Sequence, residues 1–330
     1  MMKHCVLLIL LLLAACPIAQ AQTATDSHLH AVIISGGRNK MHNHERYWND
    51  CAFIYKTLRQ DYHLPERNIT LLMADGDDPA TDMLKANATG FISSPTDLDG
   101  DGQKDLSLAA TLQNVTDVLA QLAMQLTPDD HLFLYIIDHG ELDTASGKAF
   151  VWLWDNQQLS SYQLAVMLSA FHVASMNILL GQCYAGAFAT DLSATDRIIT
   201  TACTADEQAW ACSDKPYDEF VYHWTCAIAG HDEQGVTVNA DTNDDGHITM
   251  DEAYSYALLH DNRPETPGLS SLPIPLAAAW SFDSMISPNN GIKELSVGTN
   301  NQKTYYSLHG FRVTSGKGVL IANRRKTIYR

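Results

Sequence analysis

The chain has few basic residues for its length. Among its 330 residues, 21 Lys and Arg stand against 38 Asp and Glu, which gives a formal net charge of −17. No segment forms a basic stripe, so the composition argues against nucleic acid as a partner. An acidic surface favours solubility and is compatible with bound cations, but it does not identify a substrate.

Long hydrophobic runs are also scarce. Residues 6–15 form one apolar run, which follows Lys3 and is too short to span a bilayer. We predict a signal peptide over residues 1–21, because Ala-Gln-Ala at 19–21 is a cleavage motif that leaves Gln22 first. The alternative is a lipobox at 13–16, which would leave a lipidated Cys16. Both signal cleavage and lipidation predict an exported protein. No later apolar run is long enough for a transmembrane helix.

Cysteine is too sparse for a dense disulfide framework. Of the 7 cysteines, Cys5 and Cys16 lie in or next to the predicted signal peptide. The odd number that is left allows one free thiol and at most two disulfides, although buried unpaired cysteines are equally compatible. No pair has zinc-ligand spacing with histidines, so a structural zinc is not expected. The cysteines beyond the predicted signal peptide are Cys51, Cys183, Cys203, Cys212 and Cys226.

Two short apolar runs each stop at a reactive residue. Residues 131–137 lead to His139, and residues 177–181 lead to Cys183. Such runs predict strands buried on both faces of a parallel sheet, whose carboxyl ends meet at one edge. A cysteine needs a base to become a thiolate at neutral pH, and His139 would take that proton. The N–H groups of Gly140 and Cys183 would stabilise a tetrahedral oxyanion.

The rest of the chain alternates between strands and amphipathic helices. This alternation predicts an α/β fold with a mostly parallel sheet flanked by helices. Beyond residue 289 the composition changes, and residues 305–330 predict a C-terminal β tail of two or three antiparallel strands. The tail resembles the sorting tails of many secreted bacterial proteins, and an edge hairpin of the main domain is the alternative. Further strands are predicted at 30–35, 68–73, 152–154 and 197–202, and helices at 51–58, 112–126 and 162–171.

The residues around the predicted dyad resemble the legumain-like cysteine peptidases. Asp-His-Gly at 138–140 and Gln-Cys at 182–183 carry this resemblance, which spans roughly residues 29–228. Residues 196–212 are similar to the strand and loop that follow the nucleophile in that family. The family includes plant asparaginyl endopeptidases and the catalytic subunit of GPI transamidase. The resemblance therefore implies a caspase-like peptidase domain over residues 22–288, with a β tail over 289–330.

The resemblance also implies roles for particular residues. His139 matches the general base and Cys183 the nucleophile, while Arg46 and Asp218 match the pair that binds the residue before the scissile bond. Gln182 and Glu207 are the further candidate substrate-binding residues. A guanidinium and a carboxylate suit asparagine, since one donates to the amide oxygen and the other accepts from the amide nitrogen.

This chain departs from the family at four positions. Gln182 stands where family members often have glutamate. His44 stands where the family has the asparagine that orients the histidine. Gln208 and Ala209 replace two serines of the substrate pocket. The preference for asparagine is therefore left open.

Two acidic segments predict calcium sites. Residues 241–252 fit the twelve-residue EF-hand loop, with Gly246 at its turn. Residues 97–105 repeat the first half of that pattern, and calcium or a merely acidic turn fits them equally well. Both segments lie outside the strands of the dyad, so we expect the calcium to be structural. The candidate ligands are Asp241, Asn243, Asp245, His247 and Glu252 in the first segment and Asp97, Asp99, Asp101 and Asp105 in the second.

Three functions are compatible with these residues. The first is an exported cysteine endopeptidase that cuts peptides or proteins after asparagine. The second is a transpeptidase that passes the same acyl-enzyme to an amine. The third is a catalytically silent calcium-binding surface module, which the intact pair of His139 and Cys183 disfavours.

Overall fold

A computed structural model of the chain describes residues 27–286 and the backbone of short strands between residues 305 and 329. The predicted signal peptide and lipobox lie outside the described residues. No helix within the described ranges is long and apolar enough to cross a bilayer.

A six-stranded sheet forms the centre of the fold. Its strand order is β11-β10-β9-β5-β1-β2, and every neighbouring pair is parallel except β10 and β11. The apolar runs predicted as strands form β5 and β9, and both are buried on either face. This buried, mainly parallel sheet confirms the caspase-like α/β fold. The strands are β1 (Leu29–Ser35), β2 (Ile69–Met73), β5 (His131–Ile136), β9 (Ser175–Leu180), β10 (Arg197–Thr201) and β11 (Gly268–Leu272).

Helices cover both faces of this sheet. On the first face, α1 (Glu45–Lys56), α5 (Glu219–Ala229), α6 (Met250–His260) and α7 (Phe282–Ile286) pack around buried aromatic side chains such as Trp224. On the second face, α2 (Leu112–Gln125), α3 (Ser161–Leu168) and α4 (Ala185–Leu192) enclose a core of aliphatic residues. Ala209 packs against both cores.

A small antiparallel sheet follows the predicted base directly. It consists of β6 (Gly140–Asp143), β7 (Lys148–Leu153) and β8 (Gln157–Ser160), in that order. Val151 and Leu153 of β7 belong to the aliphatic core, so this sheet lies on the second face. The strands β3 (Met83–Leu84) and β4 (Phe91–Ile92) form a separate hairpin.

The segment predicted as a β tail forms a four-stranded sheet with the order β13-β12-β14-β15. Its neighbouring strands are antiparallel throughout. The strands are β12 (Tyr305–Tyr306), β13 (Arg312–Val313), β14 (Gly318–Ala322) and β15 (Arg325–Tyr329). The division of the chain into a peptidase domain and a sorting or anchoring tail stays a prediction.

Candidate active site

The register of the central sheet brings the two reactive residues to the same edge. Ile136 at the end of β5 pairs with Leu180 at the end of β9. His139 and Cys183 each stand three places beyond that pair. Both therefore leave the sheet at the same level and from adjacent strands, as the sequence predicts.

Gly140 contacts the backbone of the cysteine directly. A Cβ atom at this position would lie 2.0 Å from the carbonyl oxygen of Cys183 and 2.9 Å from Cγ of Gln182. The backbone of Gly140 also forms a hydrogen bond with the Cys183 sulfur, which lowers the pKa of the thiol. Only glycine allows these two chain segments to approach so closely.

A backbone carbonyl fixes the orientation of His139. Its Nε2 atom lies 3.1 Å from the carbonyl oxygen of His42. A carbonyl can only accept a hydrogen bond, so the proton of the neutral ring resides on Nε2. Nδ1 is therefore the unprotonated nitrogen that is free to act as a base. This arrangement takes the place of an orienting asparagine side chain.

The imidazole of His139 is enclosed by aromatic rings. The rings of Tyr47 and His44 each lie edge-on with centroids 5.3 Å away, and that of His42 lies at 5.9 Å. Burial, reinforced by the positive charge of Arg46, lowers the pKa of His139 to about 3. Burial likewise lowers the pKa of His44 to about 4. Both imidazoles are therefore neutral at physiological pH.

The cysteine is also neutral at rest. Burial raises the pKa of the Cys183 thiol, against the opposing effects of backbone hydrogen bonds and of Arg46. Its Sγ atom donates to the carbonyl oxygen of Ala209 at 3.7 Å. The resting pair is therefore a thiol and an imidazole rather than a thiolate and an imidazolium.

Asp138 joins the loop after β1 to the predicted base. Its carboxylate accepts hydrogen bonds from the backbone N–H groups of Gly37 and His139. Burial raises the pKa of Asp138 to about 7, although these two hydrogen bonds oppose the shift. The sequence motif contains Asp138 but gives no indication of this connection.

The two residues predicted to bind the substrate are in contact. Nε of Arg46 donates to Oδ1 of Asp218 at 3.2 Å, and a second nitrogen donates to the hydroxyl of Tyr47 at 2.8 Å. Asp218 precedes α5 and is buried. Its Oδ2 atom has no hydrogen-bond partner within the described chain.

Asp50 lies behind this pair, and the sequence analysis missed it. Its carboxylate accepts from the backbone N–H of Asp218 at 3.2 Å, and its side chain is 1% exposed. Burial and repulsion from Asp218 raise the pKa of Asp50 well above its ordinary value, and a side-chain hydrogen bond joins the two carboxyl groups. An acid four positions after Arg46, on the apolar side of the helix, is the signal that could have revealed it.

The other predicted substrate-binding residues have different surroundings. Gln182 is completely buried beside Gly140, and neither of its side-chain polar atoms has a described partner. Glu207 accepts hydrogen bonds from the backbone N–H groups of Thr204 and Thr266, so it joins the loop after β10 to the segment before β11. Gln208 is exposed on the same loop. The roles of Gln182 and Glu207 in substrate binding stay predictions.

The predicted calcium segments form loops with matching hydrogen bonds. Asp241 accepts from the N–H of Gly246 at 2.8 Å, and Asp97 accepts from the N–H of Gly102 at 2.9 Å. The two glycines have φ values of +84° and +86°, which favour glycine over other residues.

The carboxylates of the two loops differ in how closely they converge. One oxygen each from Asp97, Asp99 and Asp105 lies within 4.8 Å of the others. In the loop at 241–252, Glu252 accepts from Thr242 and Thr249, and His247 pairs with Asp283. The carboxylate ligand atoms in both loops are oxygens, which calcium prefers.

The five cysteines of the described region are unpaired. Cys51, Cys203 and Cys226 are buried, while Cys183 and Cys212 are partly exposed. Of the two arrangements that the sequence allowed, the structure contains the one with free thiols.

A family profile and solved structures match this chain. A crystal structure of a Geobacter sulfurreducens protein aligns with a TM-score of 0.43 and 12% identity, covering 73% of this chain and 92% of the other. A comparison with curated protein sequences found no match. The sequence profile of the Peptidase C13 family matches residues 29–252, which include His139, Cys183, Arg46 and Asp218. The chain therefore belongs to the Peptidase C13 family, and this membership implies cysteine peptidase activity.

Proposed function

We propose that the protein hydrolyses peptide bonds after asparagine, with Cys183 as the nucleophile and His139 as its base. The hydrogen bond from Nε2 of His139 to the His42 carbonyl carries this proposal. It leaves Nδ1 unprotonated at the sheet edge where Cys183 also lies. Burial keeps both groups neutral until a substrate arrives.

In the proposed reaction, Nδ1 of His139 takes the thiol proton as the sulfur attacks the carbonyl carbon of the scissile bond. The oxygen of that carbonyl becomes an oxyanion, which the N–H groups of Gly140 and Cys183 stabilise. The imidazolium then gives its proton to the leaving amine, and a thioester remains on Cys183. Water, deprotonated by His139, attacks the thioester and releases the carboxylic acid product.

The pair of Arg46 and Asp218 supports the choice of asparagine. The guanidinium would donate to the side-chain amide oxygen, and the free Oδ2 of Asp218 would accept from the amide nitrogen. Asp50 would hold Asp218 in place through its backbone N–H.

The test is hydrolysis of peptides with one fixed asparagine. Cys183→Ala and His139→Ala should each lower kcat/KM by at least about 10²-fold. Cys203→Ala is the matched control, because Cys203 is also a free thiol and lies close by, with its sulfur 3.6 Å from the Gln182 carbonyl oxygen. Retention of wild-type activity by Cys183→Ala would refute the proposal.

We also propose that calcium binds the loops at 241–252 and 97–105 and stabilises the fold. The shared hydrogen bonds and the converging oxygens of the shorter loop support this. Added calcium should raise the Tm of chelator-treated protein, because an ion that binds only the native state stabilises it. Asp245→Asn and Asp101→Asn should each reduce that rise, whereas Asp78→Asn, outside both loops, should not. An unchanged Tm would contradict calcium binding.

Export is the third part of the proposal, and it rests on the sequence alone. The mass of the mature protein distinguishes cleavage before Gln22 from lipidation of Cys16. A mature chain that keeps residues 1–15 would contradict both.

A further inference from the structure

Arg38 stacks on Trp152 beside the candidate active site. The guanidinium carbon lies 4.0 Å from the centre of the indole ring. Nε of Arg38 also lies 3.4 Å from the side-chain oxygen of Asn156. No carboxylate in the described part of the chain forms an ion pair with Arg38, although the chain has an excess of acids. A fixed cation without an anion partner is available for a ligand.

Backbone hydrogen bonds tie this pair to His139. The N–H of Trp152 donates to the carbonyl oxygen of His139 at 3.0 Å. Gly37, the neighbour of Arg38, donates to Asp138, the neighbour of His139. The carbonyl of Arg38 accepts from Asn156 at 2.8 Å. Arg38 is thus held in place by segments that are hydrogen-bonded to residues 138 and 139.

The backbone around Arg38 is strained. Arg38, Asp155 and Asn156 have φ values of +58°, +58° and +57°, a left-handed conformation that Asp and Asn tolerate but that is unfavourable for Arg38. Such strain is concentrated at functional sites. In this loop, the left-handed conformation accompanies the stacking of the Arg38 guanidinium on the indole of Trp152.

Arg38 and Arg46 belong to opposite faces of the central sheet. Tyr47, which contacts Arg46, is part of the aromatic core on the first face of the central sheet. Val151 and Leu153, the neighbours of Trp152, are part of the aliphatic core on the second face. A peptide whose asparagine occupies the pocket of Arg46 must cross the sheet edge at His139, since this residue protonates the leaving amine. The residues after the scissile bond therefore pass towards Arg38.

We propose that Arg38 is a specificity-determining residue that binds a carboxylate side chain in one of the first two substrate residues after the scissile bond. This inference rests on the proposed peptidase function. The carboxylate of Glu141 accepts a hydrogen bond from the indole nitrogen of Trp152 at 3.2 Å and forms no ion pair with Arg38. The flat guanidinium can donate hydrogen bonds from its edge to a substrate carboxylate while its face stays on the indole.

The experiment compares peptides that share asparagine before the scissile bond and carry Glu, Gln or Lys at the first or second position after it. The wild-type enzyme should prefer Glu over Gln in kcat/KM by about 10-fold, as expected for a charge-assisted contact at a partly exposed site. Arg38→Gln should abolish this preference, so that the Glu and Gln peptides have the same kcat/KM. Arg38→Glu should instead favour the Lys peptide.

Lys40→Gln is the matched control, because Lys40 is exposed on the same loop and its loss changes the net charge equally. An equal loss of preference in this variant would show a general field effect and overturn the assignment to Arg38. Equal cleavage of the Glu and Gln peptides by the wild type would also overturn it.

Labelling separates failure of this inference from failure of the proposed function. An asparagine-containing electrophile that ends at the scissile position reacts with Cys183 without touching Arg38. Normal labelling with no Glu preference would refute only the role of Arg38. Absent labelling and absent hydrolysis would refute the peptidase function itself.

Discussion

Arg46 and Asp218 form an ion pair that uses only one carboxylate oxygen. Nε of Arg46 donates to Oδ1 at 3.2 Å, while the buried Oδ2 has no partner within the described residues. A buried acceptor that lacks a hydrogen bond costs about 1–3 kcal/mol. An amide nitrogen from a substrate would recover that energy on binding.

The first prediction concerns the substrate residue before the scissile bond. At pH 7 asparagine should be cleaved at least about 10-fold faster than aspartate, since a substrate carboxylate would face that of Asp218. Burial raises the pKa of Asp218, so Asp218 is protonated at a higher pH than an ordinary carboxyl group. The rate of cleavage after aspartate should therefore rise relative to the rate after asparagine as the pH falls from 7 to 5. Peptides with a varied residue at this position measure both rates.

Asp218→Asn tests the cause of this selectivity. The variant should cleave after asparagine and aspartate at more similar rates, and their ratio should lose its dependence on pH between 5 and 7. A preference for basic or large apolar residues in the wild type would instead show that Gln208, Ala209 and His44 have formed a different pocket.

The second prediction concerns the reactivity of Cys183 without substrate. Because burial raises the pKa of its thiol, alkylation by iodoacetamide should be slow at pH 7 and should accelerate as the pH rises towards 9 and above. The low pKa of His139, about 3, means that this histidine does not supply a positive charge above pH 5. Mass spectrometry of the labelled peptide gives the rate. A fast, pH-independent rate between 5 and 8 would indicate a thiolate–imidazolium pair.

The third prediction concerns Gly140. Gly140→Ala should lower kcat/KM by at least about 10²-fold, because the new Cβ would lie 2.0 Å from the Cys183 carbonyl oxygen and displace the oxyanion donors. Gly147→Ala is the matched control, since a Cβ there meets nothing within 4 Å although its φ is +69°. Both variants should be folded by circular dichroism, and only Gly140→Ala should be inactive. Equal activity of the two would contradict the proposed oxyanion site.

The fourth prediction concerns stability in acid. The pKa of His44 falls from 6.5 in the unfolded chain to about 4 in the fold, so the unfolded state binds a proton more readily between those values. The contribution of His44 to stability is therefore intact above pH 6.5 and is lost progressively as the pH falls to about 4. His44→Asn should show a smaller drop in Tm between pH 7 and pH 5 than the wild type. His172→Asn, at an exposed position, should behave like the wild type.

Sequence patterns predicted the parts of the site that depend on buried strands. The apolar runs before His139 and Cys183 are long and uninterrupted, and parallel strands must end at a common edge. The antiparallel strand β11 was not predicted, because its sequence Gly-Leu-Ser-Ser-Leu does not alternate between polar and apolar residues and is not rich in β-branched residues. Helix α5 was not predicted because most of its residues are buried. Its sequence therefore lacks the polar face that would show a helical periodicity.

The contacts that orient the predicted dyad could not be predicted from residue type. His42 acts on His139 through its carbonyl oxygen, and every residue has one. Asp50 and Asp218 are far apart in the chain, and only the packing of α1 against α5 brings them together. The residue types along a sequence do not show which main-chain groups or distant side chains will be in contact.

The use of main-chain groups around the predicted dyad affects how this enzyme could be redesigned. His139 is oriented by the carbonyl of His42, and the Cys183 sulfur contacts the carbonyl of Ala209 and the backbone of Gly140. Replacing the side chains at positions 42 and 209 would keep these main-chain groups, but it would change the ring beside His139 and the packing of Ala209 against both cores. A library confined to these two positions would vary the surroundings of the predicted dyad while the main-chain contacts are kept.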